Sequence, residues 1–282
     1  MIEHRPLGRL MSHLIIIVGL LVIAFPVWIT IVAATHDSVR VTQVPFPLLP
    51  GDQFFINLKA MFSSREEAIG GIPVGMMMLN SLVMALMIAT GKICISLLSA
   101  FAIVYFKFRF RMFFFWMIFV TLMLPVEVRI LPTFEVVADL GMLNTNWALT
   151  IPLIASATAT FMFRQTFLSI PDELLEAARI DGAGPMRFFF DILLPISRTS
   201  IAALFVILFI FGWNQYLWPL LITTEKSMYT IVMGIKSLLE TADGEPAWHI
   251  IMMTALMAML PPVIVVLCMQ NLFVKGLTET EK

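Results

Sequence analysis

Six apolar runs dominate this chain: residues 14–34, 76–106, 112–131, 149–163, 201–222 and 250–273. A helix needs about 20 mostly apolar residues to cross the ~30 Å hydrocarbon core of a bilayer. The second run exceeds that length and must tilt or protrude. The fourth is the shortest and most polar, with Pro152 near its start and Ser156, Thr158 and Thr160 within it. Small hydroxyl side chains of that kind suit a helix packed against other helices. Composition agrees, since 60% of residues are hydrophobic and 13% charged, against about 25% charged in an average soluble domain. Mean hydropathy is +0.93. A disordered chain and a secreted disulfide scaffold are both excluded. A net charge of -1 supplies no basic field for nucleic acid. Cys94 and Cys268, each inside an apolar run, read as small buried hydrophobes. The expected fold is an all-α integral membrane protein with six transmembrane helices.

The first run follows Arg5 and Arg9, as a signal peptide would, but its 21 residues exceed the ~7–15 of a signal core. It is expected to be retained as a span. Residues 1–13 then form a cytoplasmic N-terminal segment, 14–274 the six-span domain and 275–282 a cytoplasmic tail. With the N-terminus inside, the cytoplasmic side receives Arg5, Arg9, Lys107, Arg109, Arg111, Arg164, Arg179, Arg187, Arg198, Lys275 and Lys282. The opposite side receives only Arg40, Lys59, Arg65, Lys226 and Lys236. This excess sets the expected orientation, with both termini cytoplasmic.

Catalytic signatures are missing. Gly91-Lys92 is followed by Ile93 inside a run and cannot cradle phosphates as a nucleotide-binding loop does. No H-E-x-x-H, paired cysteine ligands or G-x-S-x-G occurs, and His4, His13, His36 and His249 are scattered. The chain is therefore expected to be neither an enzyme nor a metal protein.

The longest inside segment, residues 164–200, carries the strongest signal. Ser169-Ile170-Pro171-Asp172-Glu173 reads as a helix start: a capping residue, a proline at the first turn and carboxylates where the helix dipole favours them. Leu174, Leu175, Ala177 and Ala178 form an apolar stripe, and Gly182 with Gly184-Pro185 ends the helix. A second short helix over 186–194, bearing Phe188, Phe189 and Phe190, is expected to stop at Pro195. Such a hairpin suits a groove on a partner protein. Resting on the membrane surface is the alternative, but that usually needs a basic polar face. Here Glu173, Glu176, Asp181 and Asp191 outnumber Arg179 and Arg187.

The string Glu176-Ala177-Ala178, then Gly182, then Ile192-x-Leu194-Pro195 resembles the E-A-A loop of permease subunits in binding-protein-dependent ABC importers. The preceding I-P-D-E-L and the A-R-I-D-G that contains Asp181 are similar as well. The resemblance implies a type I ABC importer permease fold with a coupling helix in the loop 169–197, docked in a cleft of an ATP-hydrolysing subunit. It implies polar contacts from Glu176, close packing at Ala177 and Ala178 and a turn at Gly182. Leu140-Gly141-Met142-Leu143-Asn144-Thr145 and Trp213-Asn214-Gln215-Tyr216-Leu217-Trp218-Pro219-Leu220 resemble the carbohydrate-importer branch. Met123-Leu124-Pro125-Val126-Glu127-Val128-Arg129-Ile130 and the stretch from Ala155 to Phe161 resemble the group that serves sn-glycerol-3-phosphate. The chain ends in Thr-Glu-Thr-Glu-Lys rather than the G-A-V-K-like ending of many sugar permeases, so a tail contact with the ATPase is not carried over.

The partners so implied are a homologous permease, a dimer of ATP-binding subunits, an external substrate-binding protein and membrane lipid, with no nucleic acid. ATP and Mg reside on the ATPase, and this chain binds no cofactor. The expected location is the bacterial cytoplasmic membrane. The implied cargo is sn-glycerol-3-phosphate, with glycerophosphodiesters or a neutral sugar as alternatives. A stand-alone secondary transporter is the rival class, for which matching broken-helix repeats are not evident.

Candidate path residues follow from the cost of intramembrane charge. Lys92 either meets the cargo or closes an ion pair with Glu127. Arg129, two residues from Glu127 and so not facing it on an unbroken helix, either presents its fork to a phosphate, snorkels to the interface or pairs with an acidic neighbour. Trp213, Asn214, Gln215 and Tyr216 either line a polyol path or pack helices, with Trp218 as an interfacial anchor. The outer loop 223–248, with Gly244-Glu245-Pro246, either touches the binding protein or is a plain connector.

Overall fold

A computed structural model describes residues 6–63, 73–124, 126–239 and 246–278. Among these the chain is helical, with no strand. In order the helices are α1 (Pro6–Ala34), α2 (Ser38–Thr42), α3 (Phe54–Phe62), α4 (Val74–Tyr105), α5 (Arg111–Val120), α6 (Val126–Asp139), α7 (Asn146–Thr150) and α8 (Ala157–Leu168). There follow α9 (Asp172–Ile180), α10 (Pro185–Phe188), α11 (Leu194–Ile196), α12 (Arg198–Trp213), α13 (Leu217–Ile222), α14 (Ile231–Leu239) and α15 (Trp248–Thr278). They divide between two compact units, Met1–Met76 with Gly234–Leu260, and Met77–Met233 with Pro261–Lys282.

All six apolar runs are helical, yet only three are unbroken. Leu10–Ala34, Val74–Tyr105 and Trp248–Gln270 are long and apolar enough to cross a membrane in one piece; counting each of two bent pairs as a span raises the total to five. Prolines and caps cause the breaks. In the third run α5 passes into a 3-10 turn, Thr121–Met123, and Leu124 is extended, the conformation forced on a residue that precedes proline. The chain resumes as α6, which continues to Asp139, beyond the expected end of that run. In the fourth, Pro152 sits in a 3-10 turn and Ser156 caps α8 by accepting from the Ala159 amide, with a 51° bend between the halves. In the fifth, α12 ends at Trp213, because a continuous helix would drive the Pro219 ring against the carbonyl of residue 215.

In the first unit, the end of α1 is closed by a side chain distant in sequence. Asn57 Nδ2 donates to the Ala34 and His36 carbonyls at 2.9 and 2.8 Å. Trp28 Nε1 donates to the Leu48 carbonyl at 3.0 Å, tying the loop after α2 to α1.

In the second unit, α4 is the spine. Near one end Met84 and Ile88 pack with Val137, Ala148, Leu149, Trp218 and Ile222. Trp218 is 4% exposed and donates from Nε1 to the Ala148 carbonyl at 3.0 Å; it is a core residue, not an interfacial anchor. At the same level Gly212 of α12 lies against α4, where a Cβ would stand 2.9 Å from Ala85 Cα. At the other end Phe101 and Tyr105 join rings with Phe167, Phe188 and Phe189, with centroid separations from 4.9 to 6.1 Å. Cys94 and Cys268 are exposed rather than buried. Both lie on long apolar helices, so hydrocarbon can surround the surface they share.

Candidate functional site

The hairpin α9–α10 is built by its termini. Ser169 does not cap α9; it closes α8, donating from Oγ to the Thr166 carbonyl at 2.7 Å. Pro171 takes the N-cap position instead, and Asp172 and Glu173 fill the first turn. The far end is a Schellman closure. The Gly182 amide donates to Arg179 at 3.1 Å and the Ala183 amide to Ala178 at 2.8 Å. That pattern needs a left-handed residue at the turn, and Gly182 supplies φ +75°.

Closure at this point leaves Glu176, Ala177, Ile180 and Asp181 exposed while Ala178 is buried beneath them. Ile180, 86% exposed, is a large apolar side chain in open view on an otherwise charged turn. Beyond Gly184, helix continues through Pro195 instead of stopping there: α10 passes into a π-turn, Phe189–Leu193, and then into α11, which ends at Ile196. The wider π-turn just before Pro195 changes the hydrogen-bond register where its missing N–H would otherwise interrupt the ladder. Ile192 and Leu194 are half-buried and Pro195 is exposed. A 73° bend at Ser197 then leads directly into α12.

The polar candidates on the membrane runs separate into three cases. Lys92 is 8% exposed, with Nζ 4.0 Å from the centroid of the Phe211 ring. Sequence spacing alone could not identify Phe211 as the group facing it. Arg129, exposed on α6, is near enough for its charge to act on Lys92. The Glu127 side chain lies outside the described residues. Trp213 is buried and stacked on Phe209 at 6.0 Å and 21°. Gln215 donates from Nε2 to the Phe211 carbonyl at 3.1 Å, Asn214 is exposed at the break and Tyr216 is half-buried before α13.

The loop 223–248 has structure of its own. It contains α14, and its first part is held to α4. Asn80 Nδ2 donates to the Ser227 and Tyr229 carbonyls at 2.7 and 3.1 Å, and the Ile231 amide donates to Ser81 Oγ at 2.8 Å. Gly244 and Glu245 lie outside the described residues, while Pro246 is half-buried. Among the described residues no group of His, Cys, Asp and Glu could hold a metal ion.

Interrupted apolar helices packed on α4, with a capped hairpin leading into α12, are the architecture of a multi-pass membrane protein. Residues 92–279 match the family described as "Binding-protein-dependent transport system inner membrane component", and the chain belongs to that family of ABC importer permeases. It is 56% identical, over the full length of both chains, to proteins of Brucella melitensis biotype 1 and Agrobacterium fabrum, and 55% identical to one of Salmonella typhi. Each of these relatives is named sn-glycerol-3-phosphate transport system permease protein UgpE. The fold is similar to a chain in the crystal structure of a bacterial ABC transporter that imports the acidic polysaccharide alginate, with a TM-score of 0.83 at 18% identity, covering 95% of this chain and 97% of that one.

Proposed function

We propose that this chain is one of two permease subunits of an ATP-driven importer of sn-glycerol-3-phosphate. The observation that carries the reading is full-length identity of 56% to permeases named for that cargo. In this reading the chain crosses the cytoplasmic membrane six times with both termini inside. The 169–197 loop meets a cleft in one of two ATPase subunits. Glu176 and Asp181 supply polar contacts there, Ala177 keeps the approach close, Ala178 seats α9 on the rest of the chain from its buried side, and Gly182 holds the turn. Ile192, Leu194 and Pro195 join the docking helix to α12 through the bend at Ser197.

ATP and Mg are bound by the ATPase. This chain supplies the lever and, with a homologous permease, the path, while an external binding protein delivers the cargo to the outer face.

Lys92 and Arg129 are the charges proposed to meet the phosphate. The face of the Phe211 ring attracts the Lys92 ammonium, and a guanidinium fork matches a phosphate. Glu127 is proposed to tune that pair. Trp213 serves packing, and Asn214, Gln215 and Tyr216, at the α12–α13 break, offer hydrogen bonds to the glycerol hydroxyls.

The test is ATP hydrolysis by the whole complex in nanodiscs, with the binding protein, comparing glycerol-3-phosphate with maltose. Stimulation by the phosphate alone is expected. Stimulation by maltose alone would keep the mechanism and overturn the cargo, and stimulation by neither in an intact complex would sink both.

A further inference from the structure

We propose that the cavity bounded by the end of α4, α9 and the start of α10 binds the headgroup of an anionic phospholipid. The cavity measures about 540 Å³ and is lined by Phe101, Tyr105 and Phe188 on its inner wall and by Phe106, Lys107 and Arg179 toward the outside. That volume is within the range of small-molecule sites, roughly 300–1,000 Å³. Phe101 and Phe188 are buried, whereas Phe106, Lys107 and Arg179 are exposed. The result is an aromatic recess with two basic side chains at its mouth.

Charge selects the occupant. No carboxylate lines the cavity. Glu173 and Glu176 lie off the stripe of α9 that lines it. Asp172 shares that stripe a turn before Leu175 and acts through space on Tyr105, but is not part of the lining. Arg109, in the α4–α5 connection, and Arg111, the first residue of α5, add to the positive field. The Tyr105 hydroxyl is already committed, donating to the Phe167 carbonyl at 3.3 Å, so the cations dominate the polar chemistry on offer. A soluble anion would leave the aromatic wall unused. A lipid fits both parts, with its phosphate between Lys107 and Arg179 and its glycerol backbone against Phe106 and Phe101. Basic recesses beside membrane helices at the cytoplasmic surface bind lipid headgroups in this way.

Position gives the site a consequence. One wall is the inner face of the docking helix, through Leu175, Ala178 and Arg179. A lipid seated there braces α9 from behind while its other face meets a partner. Placing the cavity at the cytoplasmic surface rests on the orientation proposed above; the lipid chemistry does not.

The experiment uses the intact complex in nanodiscs of phosphatidylcholine doped with phosphatidylglycerol, and native mass spectrometry counts the phosphatidylglycerol retained on release. Lys107→Gln and Arg179→Gln are each expected to lower retention about fivefold, the factor associated with one cation at an anionic lipid surface. Lys107→Arg should restore it. Arg109→Gln, a neutralisation outside the lining, should lower it by less than Lys107→Gln does. Should Arg179→Gln fail to assemble, Lys107→Gln and Lys107→Arg still decide the matter. Equal retention in Lys107→Gln and wild type overturns the proposal, as does an equal loss in Arg109→Gln. Displacement of the lipid by glycerol-3-phosphate or inorganic phosphate would assign the site to a free phosphate instead. ATP hydrolysis stimulated by the binding protein, read on the same wild-type nanodiscs, tests the permease reading separately: its absence alongside intact lipid retention would remove that reading and leave this one.

Discussion

Gly182 turns the chain at φ +75°, and a Cβ built there meets no atom within 4 Å. The cost of a side chain at this turn is therefore conformational rather than steric, about 1–2 kcal/mol for an ordinary L-residue and less for asparagine. Gly182→Ala is expected to lower transport per ATP hydrolysed in the reconstituted complex, with Gly182→Asn retaining more of it. Equal coupling in Ala, Asn and wild type would mean that the turn does not have to be held. Gly212 presents the opposite case, because Ala85 Cα at 2.9 Å is backbone and cannot rotate away. Gly212→Ala should destabilise the complex by about 1–3 kcal/mol, read as a lower thermal midpoint. Lys92 differs from both in acting through charge. Lys92→Met should abolish stimulation by glycerol-3-phosphate while the complex still assembles, and Lys92→Arg should preserve part of it. Normal stimulation of Lys92→Met would remove Lys92 from the path. The E-A-A residues are legible in sequence because they are contiguous. The Phe211 ring beneath Lys92 and the Trp218 bond to Ala148 are not, since each joins residues far apart in the chain.

At the scale of the element, hydropathy finds apolar runs but says little about where they break. Proline and serine decide that, and each acts differently. Leu124 is pushed extended, Pro152 falls in a 3-10 turn, and Pro195 is carried through by a π-turn. A proline in the sequence thus marks a disturbance of the helix without fixing its form. Ser169 shows a similar ambiguity: a hydroxyl between two helices can close the first or open the second, and here it closes the first. The α10–α11 stretch also contains an ion pair, Arg187 Nε to Asp191 Oδ2 at 3.4 Å, four residues apart with both side chains mostly exposed. Exposed pairs of this type contribute little, typically below ~0.5 kcal/mol on a helix. Asp191→Asn is therefore expected to leave thermal stability nearly unchanged. A large loss would show that Asp191 has a further partner in the assembled complex.

Across the whole molecule, the sequence makes class and length scale legible, because apolar content is a sum over many residues; the Lys/Arg asymmetry, also such a sum, adds an expected orientation. Single-helix geometry is less legible, since it depends on packing among runs. The same asymmetry yields the final prediction. If charge sets the topology, α2 lies outside and α9 inside, although both are exposed surface on the isolated chain. A membrane-impermeant maleimide applied to intact spheroplasts should label Ser38→Cys and leave Glu173→Cys unlabelled until the membrane is opened. Cys94 and Cys268 provide an internal control. Both are exposed on long apolar helices, so in a bilayer hydrocarbon should shield them from a water-soluble reagent before and after opening, with detergent alone revealing them. Labelling of Glu173→Cys in sealed spheroplasts would put the hairpin on the face away from ATP, where no ATPase could reach Glu176 or Gly182, and the coupling role proposed for α9 would fall with it.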